Sequence, residues 1–247
     1  MTNDLITVFG GSGFVGRAIV QALCKEGYRV RAAVRRPHQV LRLRVLGDPG
    51  QVELVQANLL KPESVAAACT GAFAVINCVG LLYEKGKQNF AALHVAGAQA
   101  AAEAARNAGA ARFIQISAIG ADERAGAAYA RTKAYGEEEV RRAFPGAVVL
   151  RPSIIFGEDD SFFNRFAGMA AGLPILPLID HLPCHERADS EHARQEILHI
   201  RHHSLYAPRD FDISPYFQII KPAIESGFDY RSLTWDREAS PSLRSIR

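Results

Sequence analysis

The stretch Leu5-Ile6-Thr7-Val8-Phe9-Gly10-Gly11-Ser12-Gly13-Phe14-Val15-Gly16 decides the fold. Its first half, Leu5 to Phe9, is a short apolar run of strand length that stops in glycines. A helical pattern follows, with Val15, Ile19, Ala22 and Leu23 on one face. Strand, glycine turn and helix in this order set backbone N–H groups and a helix N-terminus where a pyrophosphate can be held. Gly10 permits a sharp exit from the strand, Gly13 close approach of phosphates, and Gly16 close packing of helix on sheet. The glycine spacing alone is a weak signal, because glycine turns are common. Placed directly after a strand and opening a helix, it is specific. It predicts a dinucleotide site built from Gly10, Gly11, Ser12, Gly13, Phe14, Val15 and Gly16.

Working outward, further apolar strands are predicted at Tyr28 to Val34, Val52 to Gln56, Ala72 to Cys78, Arg112 to Ser117 and Ala147 to Leu150. Helices are predicted at Asn89 to Asn107, ended by Gly109, and at Ala127 to Ala143. Strands alternating with helices imply an α/β fold, a doubly wound parallel sheet. Ligands of such sheets lie beyond the carboxyl ends of the strands, so the residues just after each strand carry the information.

The second strand ends in Arg35-Arg36, and no Asp or Glu lies between Tyr28 and Leu46. An acidic residue there would bind the ribose hydroxyls of NAD(H), whereas arginine matches a 2′-phosphate. NADP(H) is therefore expected over NAD(H), with one or both arginines alternatively plain surface charges. Asn58 and Leu59 follow the third strand, at the expected adenine edge. Asn77, Val79 and Gly80 end the fourth, where a backbone-rich turn suits the dinucleotide, although Asn77 could equally cap a helix or hold the turn. The fifth strand ends at Ser117, and Tyr129 and Lys133 follow one helical turn apart. An ammonium beside a phenol lowers its pKa and lets it exchange a proton with a carbonyl or alcohol oxygen, which a serine hydroxyl can hold. Tyr-x-x-x-Lys arises often by chance, but its place after Ser117 on the fifth strand makes it informative.

Composition narrows the remaining classes. The 247 residues carry a net charge of +3 and are 48% hydrophobic, enough for a sizeable core. No basic run with interleaved aromatics suggests nucleic acid. No apolar run is long enough to cross a bilayer, and the chain enters its first strand at once, so no signal or transit peptide is expected. Cys24, Cys69, Cys78 and Cys184 show no Cys-x-x-Cys spacing and read as reduced thiols, giving a cytoplasmic expectation.

These motifs, with Arg151-Pro-Ser-Ile-Ile-Phe-Gly157, resemble the short-chain dehydrogenase/reductase superfamily in its extended or atypical, epimerase/dehydratase-like branch. The resemblance covers about residues 4 to 180. It implies Ser117, Tyr129 and Lys133 as the catalytic set, with Tyr129, Lys133, Pro152 and Ile154 also at the cofactor. A closer resemblance is carried by Asn77 to Glu84, Gln115 to Asp122, Tyr129 to Ala134 and Arg151 to Asp160. It is to the nucleotide-binding accessory subunits of respiratory complex I, most of all their bacterial relatives. That likeness implies structural or regulatory NADPH, peripheral-arm subunits as partners, and peripheral association with the cytoplasmic face of the inner membrane. The superfamily implies instead an NADP-dependent oxidoreductase or sugar-nucleotide epimerase/dehydratase, so the two readings diverge over turnover.

Beyond about Ile179 the chain changes character. Six of its eight histidines lie between His181 and His203, and Gly227 alone of its 20 glycines lies after Gly172. The partition expected is a Rossmann domain over 1–179 and an atypical tail over 180–247. The tail reads as a divergent partner-binding appendage, a disordered end, or a frame-shifted segment, the last favoured by the abrupt change and the missing return motif. His199, His202 and His203 lack a further ligand at a supporting spacing, and no metal site is expected.

Overall fold

A computed structural model describes residues 4–86, 88–152, 155, 220, 221 and 224. The opening apolar run is strand β1 (Leu5–Phe9), and the apolar stripe after the glycines is helix α1 (Phe14–Lys25). Then come β2 (Arg29–Val34), two 3-10 turns (Pro37–Gln39 and Leu41–Leu46), β3 (Val52–Gln56), α2 (Pro62–Cys69) and β4 (Ala74–Asn77). A π-helical segment (Ala91–Ala96) runs into α3 (Gly97–Asn107), followed by β5 (Arg112–Ile116), α4 (Ala128–Ala143) and β6 (Val148–Leu150). The strands match the expected ones to within two residues at each end. α2 had no counterpart in the sequence pattern, because its alanine-rich eight residues carry too weak an apolar period to stand out.

The six strands are all parallel, in the order β3-β2-β1-β4-β5-β6. Both neighbours of β1 are reached by crossovers that diverge from it, so the helices leaving β1 and β4 part company and open a crevice at their carboxyl ends. Side-chain alternation splits the core in two. Ile6, Val8, Val30, Ile76 and Ile114 face α1, where Ile19, Val20 and Leu23 pack. Ile220 and Ile224, each at most 1% exposed, join that same layer, and Lys221 between them pairs with Glu26 at 2.6 Å. Apart from these three, the 180–247 tail and Cys184 lie outside the described residues.

The opposite layer sets Phe9, Val75 and Phe113 against α2, α3 and α4. α3 buries Ala98, Ala101, Ala102 and Ala105 completely, and such small side chains let it lie close to its neighbours. α4 comes closer still: a Cβ on Gly136 would overlap the His94 carbonyl oxygen. The single helix expected over Asn89 to Asn107 is thus two, a π-helical turn where α4 presses in and a regular α-helix beyond it.

Candidate dinucleotide site

Every strand points its carboxyl end at one edge, and the glycine turn sits at its centre. Gly10 adopts φ +75, which favours glycine, and its N–H donates to the Ala33 carbonyl of β2 at 3.1 Å. A Cβ on Gly16 would overlap the Gly10 carbonyl, so α1 can start this close to β1 only with glycine there. Gly11 is buried against Ala32, while a Cβ on Gly13 would meet only the Gly10 carbonyl, at 3.4 Å. The N-cap of α1 is Gly13, which has no side chain to offer as a cap, and no acidic residue stands in the first turn. The start of such a helix carries partial positive charge, which suits an anion.

The turn is one wall of a groove of about 370 Å³. Gly10, Ser12 and Gly13 line one side, Arg35 and Asn58 the end beyond β2 and β3, and Val79 and Gly80 the end beyond β4. Of the other residues expected at the cofactor, Val15 packs on the core, Arg36 starts the first 3-10 turn, and Leu59 lines the groove while packing beneath Gly97. Phe14 opens α1, and the Pro152 carbonyl accepts the Ile119 N–H at 2.8 Å just past β6. Ile154 lies outside the described residues. Arg35 and Arg36 are exposed and make no ion pair among the described residues.

Two asparagines serve the walls. Asn77 is fully buried: its amide donates to Gln115 Oε1 at 2.9 Å, and its Oδ1 accepts the Val79 N–H at 3.1 Å. It therefore holds the turn, one of the roles its sequence position allowed. Asn58 Oδ1 accepts the Leu60 N–H, an Asx turn that shapes the chain after β3.

Tyr129 and Lys133 of α4 are not among the groove's lining residues, but Lys133 stands against Gly80, which is. Lys133 Nζ would stand 3.3 Å from a Cβ on Gly80, donates to the Ile116 carbonyl at 3.2 Å, and lies 5.9 Å from the Tyr129 ring centroid. Tyr129 rests edge-on against His94 and Phe90, with centroids 5.3 and 5.9 Å away. Burial lowers the Lys133 ammonium to about 8 and raises the Tyr129 phenol above its ordinary value. The expected lowering of the phenol by Lys133 is thus outweighed by desolvation of the ring.

Ser117 turns toward Glu137. It is 5% exposed, and its hydroxyl donates to Glu137 Oε1 at 2.5 Å. Glu137, itself 1% exposed, also takes three hydrogen bonds from Arg151, of which the Nη2 to Oε2 contact is 2.7 Å.

His94 escaped the sequence reading. Its Nε2 accepts the Leu81 N–H at 3.0 Å, which leaves Nδ1 protonated toward Thr132 Oγ1 at 3.1 Å. It ties the loop after β4 to α4, and burial lowers its pKa to about 4, so the ring is neutral. Only its place in an otherwise alanine-rich apolar stretch could have flagged it. Cys24, Cys69 and Cys78 are free thiols whose pKa values burial raises to about 11, 12 and 12. Among the described residues no His, Cys, Asp and Glu cluster could hold a metal, and no helix is long and apolar enough to cross a membrane.

A glycine turn at the switch point of a parallel sheet, the helix that starts on it and the groove beside them define a dinucleotide-binding α/β protein. The chain belongs to the NAD(P)H-binding family, whose profile matches residues 10–161. It is 37% identical over 162 residues to the mitochondrial NADH dehydrogenase (ubiquinone) 1 alpha subcomplex subunit 9 of Mus musculus, covering 65% of this chain and 43% of that one. It is also 37% identical over 175 residues to a ceramide reductase of Caulobacter vibrioides, covering 71% and 54%. The chain thus spans about half the length of these relatives. Among solved structures, a Bacillus halodurans protein assigned to the NAD-dependent epimerase/dehydratases matches with a TM-score of 0.56 and 25% identity, covering 64% of this chain and 74% of that one.

Proposed function

We propose that this protein holds NADP(H) as an accessory or assembly component of respiratory complex I, in the manner its kinship to the alpha subcomplex subunits suggests. The observation that carries the reading is the glycine turn at the start of α1, lining a groove that ends at Arg35. In it the pyrophosphate lies on the turn from Gly10 to Gly16, and Arg35, with Arg36 beside it, meets the 2′-phosphate. Asn58 and Leu59 border the adenine, while Val79, Gly80, Tyr129 and Lys133 border the nicotinamide end. NAD(H) would enter the same groove without a phosphate for the arginines. The partners are peripheral-arm subunits, and the location is the cytoplasm or the cytoplasmic face of the inner membrane.

A second reading, a reductase or epimerase, is favoured by the Tyr129 and Lys133 pair and by the kinship to a ceramide reductase. Denaturing the purified protein, identifying the released nucleotide and following its oxidation with carbonyl substrates separates the two. Retained NADPH that no substrate oxidises is expected. Exchangeable NADPH that turns over, and ceases to in Tyr129→Phe, would make the protein an enzyme. Absence of any nucleotide, even by titration, would remove both readings.

A further inference from the structure

We infer that Glu137 is a positioning residue for the nucleotide groove. By taking the Ser117 proton and the Arg151 guanidinium it pins α4 to the ends of β5 and β6, so that Ser117 belongs to this clamp and does not hold a bound oxygen. The inference rests on the nucleotide-binding reading above.

Three tertiary ties meet on one buried carboxylate. Ser117 follows the last residue of β5 and donates at 2.5 Å; Arg151 follows the last residue of β6 and donates from Nε at 2.8 Å and from Nη2 at 2.7 Å. Arg141, one turn further along α4, adds a contact at 3.4 Å. Burying a carboxyl group to 1% exposure is costly without such partners, and a bidentate guanidinium fixes direction as well as distance. Serine has a single hydroxyl proton. Once that proton is given to Glu137, Ser117 has none for a carbonyl, and at 5% exposure it offers little surface to a ligand.

Glu137 lies one helical turn beyond Lys133, so fixing one fixes the other. The Lys133 ammonium stands between the Ile116 carbonyl and Gly80, and Gly80 in turn lines the groove. It is faced by Cys78 from the end of β4, His94 from the π-helical segment, and Tyr129 and Glu137 from α4. Cys78 and His94 are uncharged near neutrality, and the negative charge of Glu137 helps Lys133 keep its proton. Loss of that charge lets Lys133 deprotonate at lower pH and weakens the groove for a polyanion.

The test is NADPH titration by nucleotide fluorescence from pH 6.5 to 10, with urea unfolding, on the full chain and on Ser117→Ala, Glu137→Gln and their double variant. Glu138→Gln, at an exposed neighbour, is the control. Glu137→Gln is expected to weaken NADPH about tenfold at pH 7 and to move the alkaline loss of binding to lower pH. Ser117→Ala is expected to lower the urea midpoint while changing affinity less than about threefold. A Ser117→Ala protein that loses affinity as strongly as Glu137→Gln would overturn the inference, as would a Glu137→Gln protein with wild-type affinity and pH profile. If Glu137→Gln does not fold, Ser117→Ala alone decides, since a ligand-holding serine loses affinity and a clamp loses only stability. If the wild type binds no NADPH, the nucleotide reading fails separately. The clamp is then judged by the urea midpoints: non-additive losses uphold it, and additive ones overturn it.

Discussion

Arg35 and Arg36 are the residues on which cofactor choice turns. Both are exposed, so either is free to close on a phosphate without breaking a contact among the described residues. Arg35 lines the groove and Arg36 begins the following turn, which assigns the larger share to Arg35. Arg35→Ser is expected to weaken NADPH about tenfold, roughly 1.4 kcal/mol, and to leave NADH unchanged. Parallel titrations with the two nucleotides check this, and equal losses would show that the arginine meets the shared pyrophosphate instead. His94 gives a second residue-scale expectation. Its folded pKa of about 4 lies below the ordinary 6.5, so the unfolded chain takes a proton that the folded one refuses as pH falls through that interval. Its full contribution is present above pH 6.5 and is lost toward pH 4, on the order of 3 kcal/mol. Thermal melts from pH 7 to 4 should show this slope, and His94→Gln should flatten it.

Among the elements, α1 and α4 reach their places only because a side chain is missing. Gly16 lies on the Gly10 carbonyl and Gly136 on the His94 carbonyl, and in both cases the obstacle is backbone, which cannot swing aside as a side chain would. Gly16→Ala must push α1 away from β1, at about 1–3 kcal/mol of overpacking. The same shift carries the helix N-terminus off the groove, so NADPH affinity should fall along with the urea midpoint. Gly13→Ala, whose Cβ would make only an ordinary contact with the Gly10 carbonyl, is the comparison: affinity falls and stability holds. Equal stability losses at both positions would mean that the turn is packed differently from the one described. Periodicity foretold α1 because it has a clear apolar stripe. It left out α2, and it ran the π-helical segment and α3 together, since local sequence does not encode where a second helix will press.

At the scale of the whole molecule, the layer over the α1 face of the sheet is closed partly by residues from far along the chain. Ile220 and Ile224 are four apart, one helical turn, and both are buried in the same core layer as Val148 and Ile114, with Lys221 paired to Glu26. The division at residue 179, drawn from composition, places these side chains in a tail. We propose instead that they belong to the core of the dinucleotide-binding unit. Ile224→Ala is then expected to lower stability by about 2–5 kcal/mol, as for other buried isoleucines. Urea unfolding checks it, and a change below about 0.5 kcal/mol would return the segment to the status of an appendage, in keeping with an out-of-register tail.

The sequence by itself determined the parallel α/β architecture, the glycine turn and the family of the ligand. Those features rest on local order, a strand that ends in glycines that start a helix, and any chain so ordered folds that way. Only the tertiary structure decided what Ser117, His94 and Glu137 do. Ser117 stood in the expected place after β5, yet its proton goes to a carboxylate 20 residues away on α4. His94 and Glu137 drew no notice, one in an alanine-rich helix and the other among glutamates that pattern as solvated charge. Their roles depend on packing between elements distant in sequence, where burial sets the charge state and the partner sets the proton's direction, and neither quantity is written in local composition.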